Sequence, residues 1–365
     1  MAAPTIETDA VVIGAGPVGL FQVFQLGLLE VKSHVIDALP YAGGQCVELY
    51  PDKPIYDIPA IPATTGRALT QSLLQQIAPF GAQMHLGQQV ESLVYADDGR
   101  LHLSTTTGQT FITRALFIAA GVGAFVPRKL QVEGIAAMEG SHLYYPQTDD
   151  FLQQHANDLS GRHIAVLGGD AAAVFAALEL LALPEGLTPP ASITLIHRRD
   201  VFDAPPDALA ALRAARAHGA IQVIAGQVID VTTEGTALHT LKVLGSDGEM
   251  HHLNTQTVLA YLGVSPKLGP IAQWGLALER KQIPVNTEDF GTALPGVFAV
   301  GDINTYPGKK KLIVCGFHEA TLAAYGAMRF IAPDKKVMLQ YTTTSPRLHA
   351  LLGVHTPAHT EKSVG

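Results

Sequence analysis

Residues 10–29 read AVVIGAGPVGLFQVFQLGLL, an uncharged apolar run interrupted by a glycine-rich turn. The pattern predicts a buried strand from Asp9 to Ile13, a turn at GAGPVG and a helix from Leu20 to Leu29, with a second strand at Ser33–Ile36. The run is as long as a membrane-spanning helix, but the clustered glycines and proline are typical of a turn, and the preceding MAAPTIETD is acidic. The segment is therefore interpreted as strand, turn and helix.

The glycines of this turn have separate roles in a dinucleotide-binding fingerprint. Gly14 would allow the tight turn, Gly16 would let the backbone approach a pyrophosphate, and Gly19 would let the helix pack closely on the strand. Asp37 ends the second strand, about 20 residues beyond the turn, where an acid can accept hydrogen bonds from ribose hydroxyls. Together these features predict a Rossmann βαβ unit that binds a dinucleotide.

A second unit of the same kind begins near residue 162. Residues 165–180 read AVLGGDAAAVFAALEL. We expect a strand at 163–167, the turn GGDAAA, a helix at 174–183 and a further strand at 192–196 that ends in HRR. The chain thus contains an internal pair of Rossmann-like units.

The second turn departs from the fingerprint at Asp170, which stands where the second glycine should be. A carboxylate there would lie beside an anionic pyrophosphate, which is electrostatically unfavourable. In an alternative register, shifted by one residue, Gly169 is the second glycine and Leu167 replaces the first. The ungapped register, in which Gly168 is the first glycine, is favoured because it preserves the helical spacing.

The two units end their second strands with opposite charges. Asp37 suits an unphosphorylated ribose, whereas Arg198 and Arg199 suit a 2′-phosphate. The sequence therefore predicts FAD in the first unit and NADPH in the second.

The composition of the chain argues against several other classes of function. A chain of 365 residues is long enough for two domains, and a net charge of −8 gives no general attraction for nucleic acid or an anionic membrane. Cys46 and Cys315 are too few for a disulfide scaffold or a cysteine metal site, and the histidines form no HExxH motif. We therefore expect a cytoplasmic protein without a bound metal.

The expected fold class is α/β, with two Rossmann-like, three-layer dinucleotide-binding domains, the second inserted in the first. The stretch GVGAFVP at 121–127 marks a crossover, and GVFAVGD at 296–302 is a strand that carries an aspartate to its carboxyl end. The predicted boundaries are 1–120 and 288–365 for the FAD-binding domain and 121–287 for the NADPH-binding domain.

Six segments carry a resemblance that extends over nearly the whole chain. They are GAGPVGL at 14–20, GGQCVELYPDKPIYDIP at 43–59, GVGAFVPRKL at 121–130, HRRDVF at 197–202, GVFAVGD at 296–302 and KLIVCGFHEA at 311–320. The chain resembles the ferredoxin-NADP reductases of the thioredoxin-reductase-like type. The resemblance implies FAD and NADPH as cofactors, a homodimer, and electron transfer between NADPH and a ferredoxin or flavodoxin.

The resemblance also implies roles for individual residues. Asp37 would bind the FAD ribose, Gln45 would make a polar contact on the flavin side, and Asp302 would bind the ribityl and phosphate region. The remaining expected contacts are Tyr50 stacking on the flavin, Val90 with its backbone at the adenine, Phe125 near the flavin, and Thr343, or alternatively Tyr341 or Thr342, on the other flavin face. Tyr50 and Thr343 are the expected catalytic contacts, because the redox step itself belongs to the cofactor.

Several features leave alternatives open. No CxxC occurs, so the dithiol by which a thioredoxin reductase passes electrons onward is absent. Asp170, and Asp203 in place of an arginine, add negative charge in the second unit, so a flavoprotein with a degenerate NADPH site, or a non-catalytic flavin-binding module, remains an alternative. The lysines at 309–311 would attract an acidic ferredoxin or form an ordinary solvated run.

Overall fold

The computed structural model of the chain describes residues 4–146, 148, 150–184, 186–339 and 341–354. Within these ranges the chain divides into two compact units: the described residues up to Phe125 together with those from Pro266 onward form the first, and the described residues from Val126 to Ser265 form the second. The second unit is inserted in the first.

Strands are numbered in chain order. In the first third of the chain they are β1 (Ile6–Glu7), β2 (Ala10–Ile13), β3 (Ser33–Ile36), β4 (Pro54–Ile55), β5 (Thr64–Thr65), β6 (Gln83–His85), β7 (Val90–Tyr95), β8 (Leu101–Thr105), β9 (Thr110–Thr113), β10 (Ala115–Ile118) and β11 (Ala124–Pro127). In the remainder they are β12 (Leu143–Tyr144), β13 (His163–Leu167), β14 (Ser192–His197), β15 (Gln222–Glu234), β16 (Ala237–Gly245), β17 (Met250–Asn254), β18 (Thr257–Ala260), β19 (Val264–Lys267), β20 (Ile283–Pro284), β21 (Val297–Ala299) and β22 (Asn304–Thr305).

The α-helices are numbered in the same way. They are α1 (Pro17–Leu28), α2 (Gln45–Leu49), α3 (Gly66–Ile77), α4 (Phe151–Gln154), α5 (Ala156–Leu159), α6 (Ala171–Glu179), α7 (Pro206–Ala217), α8 (Ile313–Ile331) and α9 (Pro346–Leu351). Short 3₁₀ helices span Ala78–Phe80, Ile135–Met138, Leu180–Ala182, Gly269–Gln273, Gly301–Ile303 and Thr342–Thr344.

The first unit is built on a parallel sheet of order β21–β10–β2–β3–β6. Every residue of β2 and of β10 is buried, as expected for parallel strands that are covered on both faces. Val12 packs in one apolar cluster with side chains of α1, α3 and α8, while Val11 and Ile13 pack in another with side chains of β7 and β8. The unit therefore has three layers: helices, the parallel sheet, and a smaller sheet of order β1–β9–β8–β7.

The second unit is built on a sheet of order β12–β18–β13–β14–β15–β16–β17. Its strands are parallel from β12 to β15 and antiparallel from β15 to β17. Ile164 and Val166 face an apolar cluster with α6 and α7, whereas Ala165 and Leu167 face one that includes side chains of β16. These two units confirm the expected α/β class with a pair of Rossmann-like units.

Both helices that follow a glycine turn begin three residues earlier than the sequence predicted. Helix α1 begins at Pro17 and α6 at Ala171, not at Leu20 and Val174. Proline is favoured in the first helical position and aspartate in the position before it, so local signals for both starts were present.

Residues 266–287 pack with the first unit, whereas the sequence prediction assigned them to the NADPH-binding domain. Ile271 and Leu276 lie in the same apolar cluster as Val90, and the Trp274 indole Nε1–H donates to the backbone oxygen of Glu91 at 3.3 Å. These contacts join segments far apart in the chain and have no local sequence signal. The assignment of a cofactor to each unit stays a prediction.

The apolar run at 10–29 does not form a long helix. Its helical part, α1, has 12 residues. A search of the described residues finds no helix with the length and apolar character needed to cross a membrane.

Candidate cofactor-binding cleft

A cleft opens in the first unit at the carboxyl ends of its parallel strands. The turn after β2, Asp37 after β3, Ala119 to Gly121 after β10, and Gly301 with Asp302 after β21 all line it. This is the edge at which open α/β sheets bind ligands. The sequence-predicted residues among its lining are Gly14, Gly16, Asp37, Gln45, Tyr50, Val90, Phe125 and Asp302.

The turn after β2 needs glycine at two positions for steric reasons. Gly14 has φ +109°, and a Cβ there would lie 2.4 Å from the carbonyl oxygen of Ala119. A Cβ at Gly19 would lie 1.8 Å from the carbonyl oxygen of Gly14. Gly19 therefore acts beneath the cleft, by letting α1 pack against the turn.

Gly16 precedes α1 and lines the cleft. No side chain in the described part of the chain caps α1, which leaves its first-turn N–H groups for another acceptor. Gly44, with φ +53°, packs against Gly16, and a Cβ on Gly44 would lie 3.0 Å from the Gly16 Cα. Two glycines thus give the cleft a floor of bare backbone beside a helix start, the arrangement that binds phosphate.

Asp37 is held by two backbone donors. Its Oδ2 accepts the Ala15 N–H at 2.6 Å and its Oδ1 accepts the Leu39 N–H at 2.8 Å. Burial raises the pKa of the Asp37 carboxyl, and the two backbone hydrogen bonds oppose that rise. Each carboxylate oxygen keeps a lone pair for a further donor, such as a ribose hydroxyl.

Another part of the cleft carries the polar groups expected near the flavin. The Gln45 side-chain amide donates to Asp302 Oδ2 at 3.3 Å, and the Tyr50 hydroxyl lies 3.4 Å from Cys46 Sγ. Burial raises the pKa of the Tyr50 hydroxyl, and the contact with Cys46 raises it further. Tyr50 therefore stays neutral at physiological pH.

Other residues also line the cleft, and among them Leu268, Ile271 and Trp274 were not assigned to it from the sequence. Leu268, Ile271 and Trp274 enter from the 266–287 segment, and Lys311 comes from the stretch before α8. Trp274 is the only tryptophan of the chain, which could have drawn attention to it, but the three apolar residues carry no motif.

Thr343 lies elsewhere. It is exposed in the 3₁₀ helix Thr342–Thr344, and the cleft as described is lined without it. Its predicted role at the flavin stays a prediction, as do those of the alternatives Tyr341 and Thr342.

The second glycine turn repeats the first in the ungapped register. Gly168 follows β13 as Gly14 follows β2, and its N–H donates to Ile196 O at 3.0 Å, as the Gly14 N–H donates to Ile36 O at 2.8 Å. Asp170 then takes the place of Gly16 before the helix, and its carboxylate accepts the Ala173 N–H at 3.1 Å. The carboxylate caps α6 itself.

Acidic and basic side chains surround this second turn. His197 takes the place of Asp37 at the end of the second strand, and a Cβ on Gly169 would lie 2.4 Å from the His197 ring. Arg198 and Arg199 follow and are exposed. The Asp203 N–H donates to Gly169 O at 2.8 Å, so a second acidic residue pairs with the turn.

The chain is similar to known proteins over most of its length. The model of the pyridine nucleotide-disulphide oxidoreductase family matches residues 8–324. A ferredoxin–NADP reductase of Albidiferax ferrireducens is 53% identical over 352 residues, which cover 96% of this chain and 97% of the relative. A ferredoxin–NADP reductase 2 of Cupriavidus metallidurans is also 53% identical and covers 96% of this chain and 93% of its own length.

Solved structures share the fold at lower identity. A thioredoxin reductase of Lactococcus lactis has a TM-score of 0.52 at 22% identity and covers 89% of this chain and 99% of its own. A bacillithiol disulfide reductase of Staphylococcus aureus has a TM-score of 0.55 at 16% identity and covers 90% of this chain and 100% of its own.

Proposed function

The chain belongs to the pyridine nucleotide-disulphide oxidoreductase family, and from this premise we propose that it is a ferredoxin–NADP reductase. The enzyme would use FAD to transfer electrons between NADPH and a ferredoxin or flavodoxin. The near full-length similarity to proteins of that name supports this reading. The observation that carries it is the cleft of the first unit, where a glycine floor and Asp37 occur together with Gln45, Tyr50 and Asp302.

The lining of the cleft fits FAD. The bare backbone at Gly16 and Gly44 leaves room for a pyrophosphate, and Asp37 would bind the ribose of the adenosine half. Val90 would contact the adenine through its backbone. Bound FAD supplies the two-electron chemistry with a nicotinamide and the one-electron chemistry with a carrier.

The other part of the lining would orient and shield the cofactor. Asp302, in hydrogen-bond contact with Gln45, would bind the ribityl chain, and Tyr50 and Phe125 would pack on the flavin. The neutral Tyr50 hydroxyl places no charge there. In the second unit, Gly168, Arg198 and Arg199 would bind NADPH, with the arginines on the 2′-phosphate.

Electrons would leave through the cofactor and not through a thiol. Cys46 and Cys315 are both free, and the sequence contains no CxxC. Burial raises the pKa of the Cys46 thiol, which disfavours the reactive thiolate. The fold shared with thioredoxin reductases is thus proposed to serve a different electron acceptor.

The proposal includes a homodimer in the cytoplasm. Exposed apolar side chains flank Thr343, namely Met338, Leu339, Tyr341 and Leu352, and a second copy of the chain would cover them. Two free cysteines suit a reducing compartment.

One observation favours a second candidate function. Asp170 caps α6 where the first unit leaves a helix start open, and Asp203 lies beside it. A flavoprotein whose second unit no longer binds NADPH would have such a turn.

Anaerobic mixing of the purified protein with NADPH separates these readings. We expect a yellow protein with one FAD per chain that bleaches on addition of NADPH and then reduces added ferredoxin. A yellow protein that NADPH does not bleach supports the second candidate. A colourless protein that cannot be reconstituted with FAD contradicts both.

A further inference from the structure

The side chain of Glu319, on α8, is completely buried and paired with Lys309. The distance from Lys309 Nζ to Glu319 Oε1 is 2.5 Å, and the lysine side chain is 7% exposed. A buried ion pair is costly to desolvate and does not by itself indicate a gain in stability. The groups that the Glu319–Lys309 pair contacts show which part of the chain it fixes in place.

The ion pair holds both backbone groups of Gly301. The Gly301 N–H donates to Glu319 Oε2 at 2.7 Å, and Lys309 Nζ donates to the Gly301 carbonyl oxygen at 2.9 Å. Two further donors complete the carboxylate: the Asn304 amide to Oε2 and the Tyr306 hydroxyl to Oε1, each at 2.9 Å. Within the described part of the chain, the four hydrogen bonds that the Glu319 carboxylate accepts all come from the segment 301–309.

The held glycine belongs to the cleft. Gly301 and Asp302 both line it, and Gly301 has φ +78°, a conformation that glycine adopts readily and other residues rarely do. A Cβ on Gly301 would lie 3.3 Å from the side chain of Val18, another lining residue, in the first turn of α1. Gly301, which the network holds by both backbone groups, therefore lies close to the helix start beside the glycine floor.

We propose that Glu319 is a positioning residue for the cofactor: with Lys309 it fixes the Gly301–Asp302 turn so that Asp302 meets bound FAD. The inference rests on the proposed function. It also gives Lys309 a role other than attracting a carrier protein, since this lysine is buried and is no part of a solvated run.

The test compares Glu319→Gln with wild-type protein, both stripped of FAD and titrated with it. The glutamine side chain removes the negative charge that pairs with Lys309. It also replaces one carboxylate oxygen, which accepts two hydrogen bonds, with an NH2 group that can only donate. Loss of a supporting residue behind a metal ligand typically costs about 10–100-fold in affinity, and we expect a rise of that order in the FAD dissociation constant. The visible circular dichroism of the bound flavin should change as well, because it reports the flavin's surroundings.

Asp289→Asn is the matched control. Asp289 is also a buried carboxylate paired with a cation of α8, Arg329, but among the described residues it is not one that lines the cleft. This variant should lower the melting temperature of the FAD-free protein and leave FAD affinity and flavin dichroism unchanged. Tyr306→Phe, which removes one hydrogen bond and keeps the ion pair, should weaken FAD binding in the same direction by a smaller factor, and it serves if Glu319→Gln does not fold.

Unchanged FAD affinity in Glu319→Gln or, where that variant does not fold, in Tyr306→Phe contradicts this inference alone. An equal loss of affinity in Asp289→Asn does the same, because general destabilisation would then explain the result. A wild-type protein that takes up no FAD contradicts the proposed function instead.

Discussion

Gly16 and Asp170 occupy the same position in two different turns, directly before the first residue of the following helix. Gly16 leaves the start of α1 uncapped by any described side chain, whereas the Asp170 carboxylate accepts the Ala173 N–H of α6. The first helix start can receive an anion. The second already holds a negative charge.

We expect Asp170→Gly to strengthen NADPH binding. Two unit charges about 4 Å apart at an effective dielectric near 20 repel by roughly 4 kcal/mol, while glycine in place of an aspartate cap costs a few tenths of a kcal/mol. The apparent dissociation constant for NADPH should fall by about tenfold or more in stopped-flow flavin reduction. Asp170→Asn, which keeps a capping acceptor and removes the charge, should show most of the gain; weaker binding in both variants would count against the repulsion.

Arg198→Ala should abolish the preference for NADPH over NADH. Hydrogen bonds to charged groups contribute roughly 1.5–3 kcal/mol, so the loss for NADPH should be about 10–100-fold with little change for NADH. Stopped-flow reduction with each nucleotide measures it. Arg216→Ala, at an exposed arginine paired with Asp200, is the control and should keep the preference; an equal loss with both nucleotides would argue against contact with the 2′-phosphate.

Asp302→Ala should weaken retention of FAD. Leaving a buried polar group of the cofactor without its hydrogen-bond partner costs about 1–3 kcal/mol. The ratio of flavin to protein absorbance after gel filtration, and titration of the FAD-free protein, report the change. Asp52→Ala, at an exposed acid near Tyr50, should retain FAD as wild type does; the idea fails if both variants behave alike.

The double variant Cys46→Ser/Cys315→Ser should keep most of the NADPH-to-ferricyanide activity. Neither cysteine belongs to a CxxC, and the Cys46 thiol has a raised pKa. Serine keeps a hydroxyl beside Tyr50, so the flavin spectrum serves as the control for an intact cleft. Loss of turnover with FAD still bound would show that a thiol takes part.

A pair of histidines predicts an acid-side loss of stability. His34 Nδ1 and His85 Nε2 are 2.9 Å apart, and burial lowers the pKa of both rings, that of His34 also through His85. The unfolded chain therefore binds more protons near and below pH 6.5, so stability decreases as the pH falls through that value towards the lower folded pKa values. The melting temperature of His34→Gln/His85→Gln should decrease less between pH 7.5 and 5 than that of wild type, while the exposed His252→Gln should follow wild type; identical slopes for all three proteins would refute it.

The elements of the fold that could be predicted are those with a recognisable pattern within a short stretch of sequence. The strand, turn and helix around Gly14 could be predicted because a short apolar run, a glycine-rich turn and a second apolar run follow one another in the sequence, and the same holds for the second unit. The ungapped register, favoured because it preserves the helical spacing, agrees with the structure, in which Gly168 follows β13 and Asp170 directly precedes α6.

The remaining parts depend on contacts between distant segments. Trp274 reaches the cleft because its segment packs against β7, which no nearby residue signals. Lys309 belongs to a run of three lysines, which suggests solvent exposure. Its side chain is nevertheless buried, because it pairs with the Glu319 carboxylate ten residues later. A run of lysines in the sequence does not show which of them is buried, because the burial of each side chain depends on the residues that contact it in the folded chain.

The open start of α1 predicts that bound FAD would stabilise the fold of the first unit as well as supply its chemistry. A chain made without the cofactor has one unit whose helix is already finished by Asp170 and another whose first turn still has unsatisfied donors. The amide hydrogens of Val18 and Gly19, in the first turn of α1, should therefore exchange faster in the FAD-free protein than in the FAD-bound protein.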